Sequence, residues 1–279
     1  MTNMLLNMSL RDWLSLSILG AVVTTIGSLL GIFIKDYVFS RSFELWKQRQ
    51  TLTQLYQKYR DPLVLSACEL ASRISEVLDH YPTVYLTYAV LQTTPTKQVT
   101  NSVDDPYFQR YKLVSTAYRL TAFLAWLELY RQDLTFLHPG GNKRARALDL
   151  AAGLIRQDLA DGQINTADDW DAWRDTLVFR EEMRAIGESL IEVRGTSRTV
   201  MGYGQYCERL EASVPNATQR WSAVVLNFLL DLESHGRDFR HMRLKRLLVH
   251  LVEFAGLMDN ASVSPYLQEA SRRLRADLT

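Results

Sequence analysis

The stretch LSLSILGAVVTTIGSLLGIFI, from Leu14 to Ile34, decides the architecture of this 279-residue chain. It contains no charged residue, and an α-helix of this length reaches about 31 Å, which matches the hydrocarbon core of a bilayer. A secretory signal peptide has a basic start, a shorter apolar run and a small-residue cleavage site, a pattern that is missing here. The sequence therefore predicts an uncleaved transmembrane helix over 14–34 after a short flank over 1–13. The alternative is a buried core helix, although such helices seldom stay uncharged over this length.

Basic residues around the predicted span indicate its orientation. Before the span Arg11 stands almost alone. After it, basic residues follow closely at Lys35, Arg41, Lys47 and Arg49. Because lysine and arginine concentrate on the cytoplasmic flank of a membrane helix, the larger C-terminal part is expected to face the cytosol. The predicted location is the cell membrane, with a single pass and a cytoplasmic C-terminal domain.

Small or weakly polar residues recur inside the span in steps of three and four. They are Ser17, Gly20, Thr24, Gly27 and Gly31. This spacing places them on one helical face, and the last two form a G-x-x-x-G motif. In lipid, helices associate by close backbone approach over such residues. The span is therefore expected to form a homo-oligomer, with chance recurrence of glycine, which is common in membrane helices, as the alternative.

The same spacing continues beyond the span into a helical stalk predicted over 35–60. Its positions are Ile34, Val38, Arg41, Leu45, Gln48, Leu52, Leu55 and Tyr59. This heptad pattern favours a parallel coiled coil. A second apolar stripe of Phe39, Phe43 and Trp46 would be exposed in a dimeric coil and favours a stalk that packs on its own domain. The two interpretations stay open.

Helical periodicity dominates the remaining residues, 61–279, and predicts an all-α cytosolic bundle. Asp61 suits an N-cap and Pro62 a first helical residue, which predicts a helix start there. TVYLTYAVL, over 83–91, fits either a short strand or an irregular helix entry. The segment AYRLTAFLAWLELY is apolar nearly all round and predicts a central helix from Pro106 to Leu137. Further helices are predicted at about 142–160, 170–193, 202–212, 215–234, 239–258 and 264–276.

Motifs for known chemistries are missing from the sequence. The 32 lysines and arginines nearly balance 31 acidic residues, so no overall field attracts nucleic acid. Cys68 and Cys207 have no zinc-ligand or disulfide spacing and fit small buried residues. There is no H-E-x-x-H pair and no G-x-S-x-G elbow, and MGYG at 201–204 is not a phosphate loop. We therefore predict no catalytic residue, no metal and no cofactor.

Two charged groups remain as candidate sites. Glu128 lies within the apolar central helix, where its carboxylate needs a partner, and Arg131 is close enough to form a structural ion pair. The segment HGRDFRHMRLKR crowds basic residues at Arg237, Arg240, Arg243, Lys245 and Arg246. Arginines offer paired donors to phosphate, lipid headgroups or acidic protein partners. The alternative is a solvated face paired with Asp231, Glu233 and Asp238.

Four short motifs carry a resemblance to other proteins. They are YRDPL at 59–63, AWLEL at 125–129, AIGE at 185–188 and MGY at 201–203. In these motifs the chain resembles a loose group of uncharacterised bacterial membrane-anchored helical proteins. The resemblance implies a bacterial origin and carries over no activity, cofactor or catalytic residue.

Three functional hypotheses follow. The first is a non-enzymatic, membrane-anchored interaction or sensory module whose bundle binds a protein partner or an anionic ligand. The second is an oligomeric effector that perturbs the membrane, with Ser17, Thr24 and Thr25 along a polar path. The third is an enzyme with an unfamiliar site near Glu128 or the basic cluster.

Overall fold

The computed structural model describes residues 10–33, 35, 40–79, 86–91, 106–134, 143–160, 176–232 and 239–278. Within these ranges lie ten α-helices, one short 3-10 helix and one two-stranded hairpin. The predicted all-α class is confirmed, with the hairpin as a small addition. The chain divides into two units, Met1–Gln54 and Leu55–Thr279.

The first unit contains helix α1 (Leu10–Phe33) and the start of helix α2 (Ser40–Asp79). Within α1, the segment Trp13–Phe33 has a mean hydropathy of 2.1, and none of its side chains that the structure describes is buried. By length and composition it is the one helix in the described part of the chain that could cross a membrane. Most of the predicted flank and Ile34 lie outside the described residues.

Helix α2 passes through Pro62 without a break, so the predicted helix start at that residue is wrong. A proline inside a helix removes one backbone hydrogen bond. Burial on both sides outweighs this loss, because Tyr59 is 1% exposed and Leu63 is fully buried. Earlier in α2, Phe43 and Trp46 are exposed, and their rings stack with centroids 5.8 Å apart.

The second unit is built around helix α4 (Pro106–Leu134). Its buried residues fall on every side of the helix, from Leu113 to Tyr130, so the predicted central helix is confirmed. The short helix α3 (Tyr88–Leu91) matches the helix-entry interpretation of its segment. The other helices are α5 (Lys143–Ala160), α6 (Arg180–Glu188), α7 (Tyr203–Leu210), α8 (Ala217–Leu229), α9 (Phe239–Asp259) and α10 (Pro265–Leu278).

Packing joins most of these helices into a main core, and Tyr206 of α7 belongs to a second, smaller cluster on α4. Helix α4 packs against α6 and α8, and α9 packs along α5 and α10. Leucine and phenylalanine side chains from α4 and α9 meet in the middle, where the rings of Phe123 and Phe254 lie edge to face with centroids 6.0 Å apart. Burying such side chains is the main stabilising contribution to a bundle of this kind.

The hairpin corrects the prediction of a helix over 170–193. Helix α6 ends at Glu188, and strands β1 (Ile191–Arg194) and β2 (Ser197–Val200) pair antiparallel, with Ile191 opposite Val200. Gly195 in the turn has a φ of 62°, a value that glycine adopts without strain. β-branched residues on both sides of this glycine favour strands over a continued helix.

Gly187 sets the distance between α6 and α4. A Cβ atom at this position would lie 2.7 Å from the carbonyl oxygen of Leu124 and 3.1 Å from the Cβ atom of Glu128. The two helices can therefore approach this closely only because the residue has no side chain. This contact brings the polar residues of α6 beside Glu128.

Candidate functional site

The basic cluster predicted near the start of α9 does not form one open surface. Arg240 is buried and donates to the carbonyls of Leu230, at 2.6 Å, and Asp231, at 2.9 Å, just after the end of α8. Lys245 and Arg246 are half-buried, and Arg237 lies outside the described residues. Arg240 therefore satisfies carbonyls that helix α8 leaves without an internal partner.

Arg243 has a similar structural role. It is fully buried and donates from Nη1 to the carbonyls of Asp158, at 2.8 Å, and Leu159, at 2.6 Å, in the last turn of α5. Asp158 is itself buried, and one of its carboxylate oxygens lies 2.5 Å from Nδ1 of His250. The buried arginines thus join helix ends. An anion or partner site at the cluster stays a prediction.

A different group of arginines surrounds Glu128. These arginines line a cleft formed by α4, α5 and α6, which we name the arginine cleft. It is lined by Leu124, Leu127, Glu128, Arg131, Arg156, Arg180, Met183 and Arg184. Its floor is apolar and has a free volume of about 20 Å³, and its mouth is open to solvent. Four positive side chains therefore share a small concave surface with one buried carboxylate.

Glu128 fixes one of these arginines. Its side chain is 3% exposed and receives two hydrogen bonds from Arg131, one from Nε at 2.7 Å and one from Nη2 at 2.5 Å. Gln132 donates to the same carboxylate at 2.8 Å. The predicted ion pair between Glu128 and Arg131 is confirmed. Because the carboxylate is held on both oxygens, it orients the guanidinium of Arg131 at the edge of the cleft.

The remaining arginines increase the positive charge of the cleft. Burial is the largest influence on Arg156 and lowers its pKa, and the positive charges of Arg184, Arg180 and Arg131 lower it further. The closest acidic side chain is that of Asp149, 3.8 Å from Arg156 and 74% exposed. An arginine keeps its proton under such conditions. The lowered pKa therefore reflects burial first, and the neighbouring positive charges add to it.

A chain of polar contacts connects Glu128 to helix α2. Gln132 accepts a hydrogen bond from Arg198 on β2 at 2.6 Å, and Arg198 also pairs with Asp133. Asp133 accepts from the hydroxyl of Tyr59 at 2.7 Å and from the ammonium of Lys58 at 3.0 Å. Burial alone raises the pKa of Asp133, but these donors and the charge of Arg198 outweigh it and lower the pKa below its ordinary value.

A second cleft has three tyrosines in its lining. Its residues are Tyr107, Arg110, Tyr111, Val114, Tyr203, Cys207 and Glu211, and its volume is about 220 Å³. The ring of Tyr203 meets those of Tyr111 and Tyr118 edge to face, with centroids 6.0 Å and 5.4 Å away. Burial raises the pKa of the Cys207 thiol, so this cysteine is poorly suited to act as a nucleophile.

The small residues predicted for helix association lie on α1, where the described side chains are exposed on every side. A Cβ atom added at Gly20, Gly27 or Gly31 would meet nothing within 4 Å. The hydroxyls of Ser17 and Thr24 donate to carbonyls of their own helix, at 2.9 Å and 2.6 Å. These hydroxyls are therefore satisfied without water, as a lipid environment requires.

In the described ranges, no group of three or more histidine, cysteine or acidic side chains is placed so that it could hold a metal ion. No known protein family, curated protein or solved structure matches the chain. Function must therefore be argued from the geometry. Sequence reasoning identified Glu128 and Arg131 but missed Arg156, Arg180 and Arg184, which come from two other helices.

Proposed function

We propose that the chain is a membrane-anchored, non-enzymatic binding module, with α1 crossing the bilayer. The observation that carries this proposal is an apolar helix, Trp13–Phe33, that buries none of its described side chains. Burying one large aliphatic side chain is worth about 1.5 to 3 kcal/mol, so leaving a whole helix of them in water is very unfavourable. A bilayer is the environment that covers such a helix on all sides.

The second unit, Leu55–Thr279, lies on the cytosolic side in this proposal. The excess of basic residues after the span supports this orientation. A fluorescent protein that matures only in the cytosol tests it when fused after Thr279. Cells that express the fusion are expected to fluoresce at the membrane, and dark fusion protein at normal abundance would contradict the orientation.

The small-residue face of α1 supports self-association. Its small residues allow two helices to approach closely, which is how membrane helices associate in the absence of a hydrophobic force between them. We expect cysteine-independent crosslinking in mild detergent to yield dimers or larger species. Substituting Ile at both Gly27 and Gly31 should reduce these species several-fold.

The matched control for this experiment lies on the opposite face of the same helix. Val22→Ile and Leu29→Ile change side chains there without filling the small-residue face. We expect this double variant to crosslink like the wild type. Monomer alone in the wild type, or equal crosslinking in both double variants, would contradict association through the small residues.

The polar chain from Glu128 to α2 supports a sensory role. Lys58 and Tyr59 stand at one end of it, and the arginine cleft stands at the other. Helix α2 begins at Ser40, within the first unit. A ligand that draws Arg131 away from Glu128 would change the partners along this chain, so binding and the state of α2 would be linked.

A further inference from the structure

We infer that the second cleft, which we call the tyrosine cleft, binds a small neutral aromatic molecule that carries one hydrogen-bonding group. This inference goes beyond the proposed function, because it assigns a ligand class to a site other than the arginine cleft. The tyrosine cleft lies between α4 and the helix α7 with its last residue, Glu211. Its lining combines three tyrosine rings, one ion pair and one thiol around a free volume of about 220 Å³.

The volume of the tyrosine cleft sets the size of its ligand. A cavity of about 150 Å³ with an apolar lining holds one benzene molecule. At about 220 Å³, the cleft has room for one aromatic ring with short substituents or a small fused second ring. Pockets for drug-sized ligands measure about 300 to 1,000 Å³, so a molecule of that size would extend into solvent.

The walls of the cleft suit a flat aromatic ring. Tyr111 on α4 and Tyr203 on α7 meet nearly at right angles, with an interplanar angle of 84° and ring centroids 6.0 Å apart. Tyr118 holds Tyr203 in place, because their rings lie edge to face at 5.4 Å and the Tyr118 hydroxyl donates to the carbonyl of Met201 at 2.9 Å. Aromatic rings attract one another in edge-to-face and offset-stacked arrangements. A ligand ring therefore finds a wall that is already ordered.

The charges of the cleft are balanced, which favours a neutral ligand. Arg110 donates from Nη2 to the carboxylate of Glu211 at 3.1 Å and from Nη1 to the carbonyl of Leu91 at 2.5 Å. Arg110 and Glu211 are the two charged side chains of the lining. An ionised ligand would be attracted by one member of this pair and repelled by the other. A neutral ring leaves the pair intact.

Tyr203 supplies a hydrogen-bond donor for the ligand. Burial raises the pKa of Tyr203, and a hydrogen bond from its hydroxyl to the Cys207 sulfur raises it further. The hydroxyl therefore keeps its proton at neutral pH. Because sulfur is a weak acceptor, an oxygen atom of the ligand can accept this hydrogen bond in place of the thiol. This step selects an aromatic molecule with a hydroxyl or a similar acceptor group.

The test is equilibrium dialysis of the full chain in phosphatidylcholine nanodiscs with radiolabelled p-cresol, and empty nanodiscs give the blank for partition into lipid. p-Cresol is a single aromatic ring with one methyl and one hydroxyl group. Its matched control is the methylcyclohexanol that carries the same substituents on a saturated ring. We expect saturable binding of p-cresol and binding of the saturated alcohol that is about threefold to tenfold weaker, the effect of losing an aromatic contact.

A variant of one wall assigns the binding to the tyrosine cleft. Tyr111 is 38% exposed, so Tyr111→Ala should fold, and circular dichroism verifies this. It is expected to weaken p-cresol binding about threefold to tenfold. The matched control is Phe108→Ala, one turn earlier on α4, because Phe108 is also exposed and lies outside the lining. It should bind p-cresol like the wild type.

A second variant tests the balance of charge. Glu211→Gln keeps the shape of an exposed side chain and removes the negative member of the ion pair. The wild type should bind p-cresol more tightly than p-toluate or benzylammonium, which are charged molecules of similar size. In Glu211→Gln the affinity for p-toluate should rise about twofold to fivefold, the range for one exposed ion pair. A variant that only disturbs the fold would instead weaken the binding of every probe.

Four outcomes would overturn the inference. They are no saturable p-cresol binding at millimolar concentration, equal binding of the saturated alcohol, tighter binding of either charged probe by the wild type, and equal p-cresol affinity in Tyr111→Ala and Phe108→Ala. The measurement does not depend on membrane insertion, because a chain that stays in solution is dialysed in buffer alone. A soluble chain that binds p-cresol therefore contradicts only the proposed anchoring, and an integral membrane chain that does not bind it contradicts only this inference.

Discussion

Arg243 on α9 reaches the end of α5 and donates a hydrogen bond of 2.8 Å to the main-chain carbonyl of Asp158. The same guanidinium nitrogen also reaches the next carbonyl, that of Leu159, at 2.6 Å. The last carbonyls of a helix lack partners within that helix, and here a fully buried side chain supplies them. A charge placed in the core therefore holds two helices together.

Replacing this side chain should destabilise the second unit. Arg243→Leu removes this donor from the carbonyl of Asp158, while that of Leu159 keeps the N–H of Val178 at 3.1 Å. The loss should lower the free energy of unfolding by about 2 to 4 kcal/mol. Chemical denaturation of the full chain in detergent measures the change. Lys245→Gln, two residues further on the same helix, is the control and should stay within about 0.5 kcal/mol of the wild type. Equal stability of both variants would contradict this role of Arg243.

Asp133 should make stability depend on acidic pH. Its pKa is lowered in the folded protein, below the unfolded value of about 3.9. The stabilisation it contributes is therefore complete above the unfolded pKa and is lost as the pH falls through the folded pKa. Asp133→Asn should be less stable than the wild type at pH 7 and should lose less stability between about pH 5 and about pH 2. Denaturation curves across this range test the prediction, and parallel profiles would refute it.

Gly187 should not tolerate a side chain. In Gly187→Ala the new methyl group would lie 2.7 Å from the carbonyl oxygen of Leu124, so α6 must shift away from α4, at a cost of about 1 to 3 kcal/mol. Gly153→Ala is the control, because its methyl group would meet nothing within 4 Å. In a helix interior that change should stabilise by up to about 1 kcal/mol. Thermal unfolding of both variants compares them directly, and a stabilised Gly187→Ala would show that the contact is not tight.

Helices with regular apolar spacing could be predicted closely from the sequence. The predicted helix over 142–160 is observed as Lys143–Ala160, and that over 239–258 as Phe239–Asp259. In both, local spacing and tertiary burial favour the same conformation. At Pro62 local sequence and tertiary burial favour different conformations. The local sequence favours a helix start, but the packing of the turns on either side favours a continuous helix and is stronger.

The hairpin was missed although the sequence contains a signal for it. In IEVRGTSRTV, over 191–200, Ile191 and Val193 alternate with charged residues before Gly195, and further β-branched residues follow it. Such a pattern around a glycine turn is typical of two short paired strands. The helical pattern of the preceding residues was extended too far, past the end of α6 at Glu188.

The candidate site could be predicted only in part, because closeness in sequence differs from closeness in space. Arg240 and Arg243 are three residues apart and share a helical face with Leu244 and Leu247, each four residues further on, so that face turns inward. The arginine cleft instead draws its side chains from three helices. Only the packing of α4, α5 and α6 brings these side chains together.

The most direct test of the account is alkaline carbonate extraction of membranes from cells that express the full chain, beside a variant that lacks Trp13–Phe33. If α1 crosses the bilayer, the full chain stays in the membrane pellet and floats with lipid in a density gradient, while the variant is released into the supernatant. If the full chain itself remains in solution after high-speed centrifugation of lysed cells, α1 is not a membrane anchor and the proposed function is wrong.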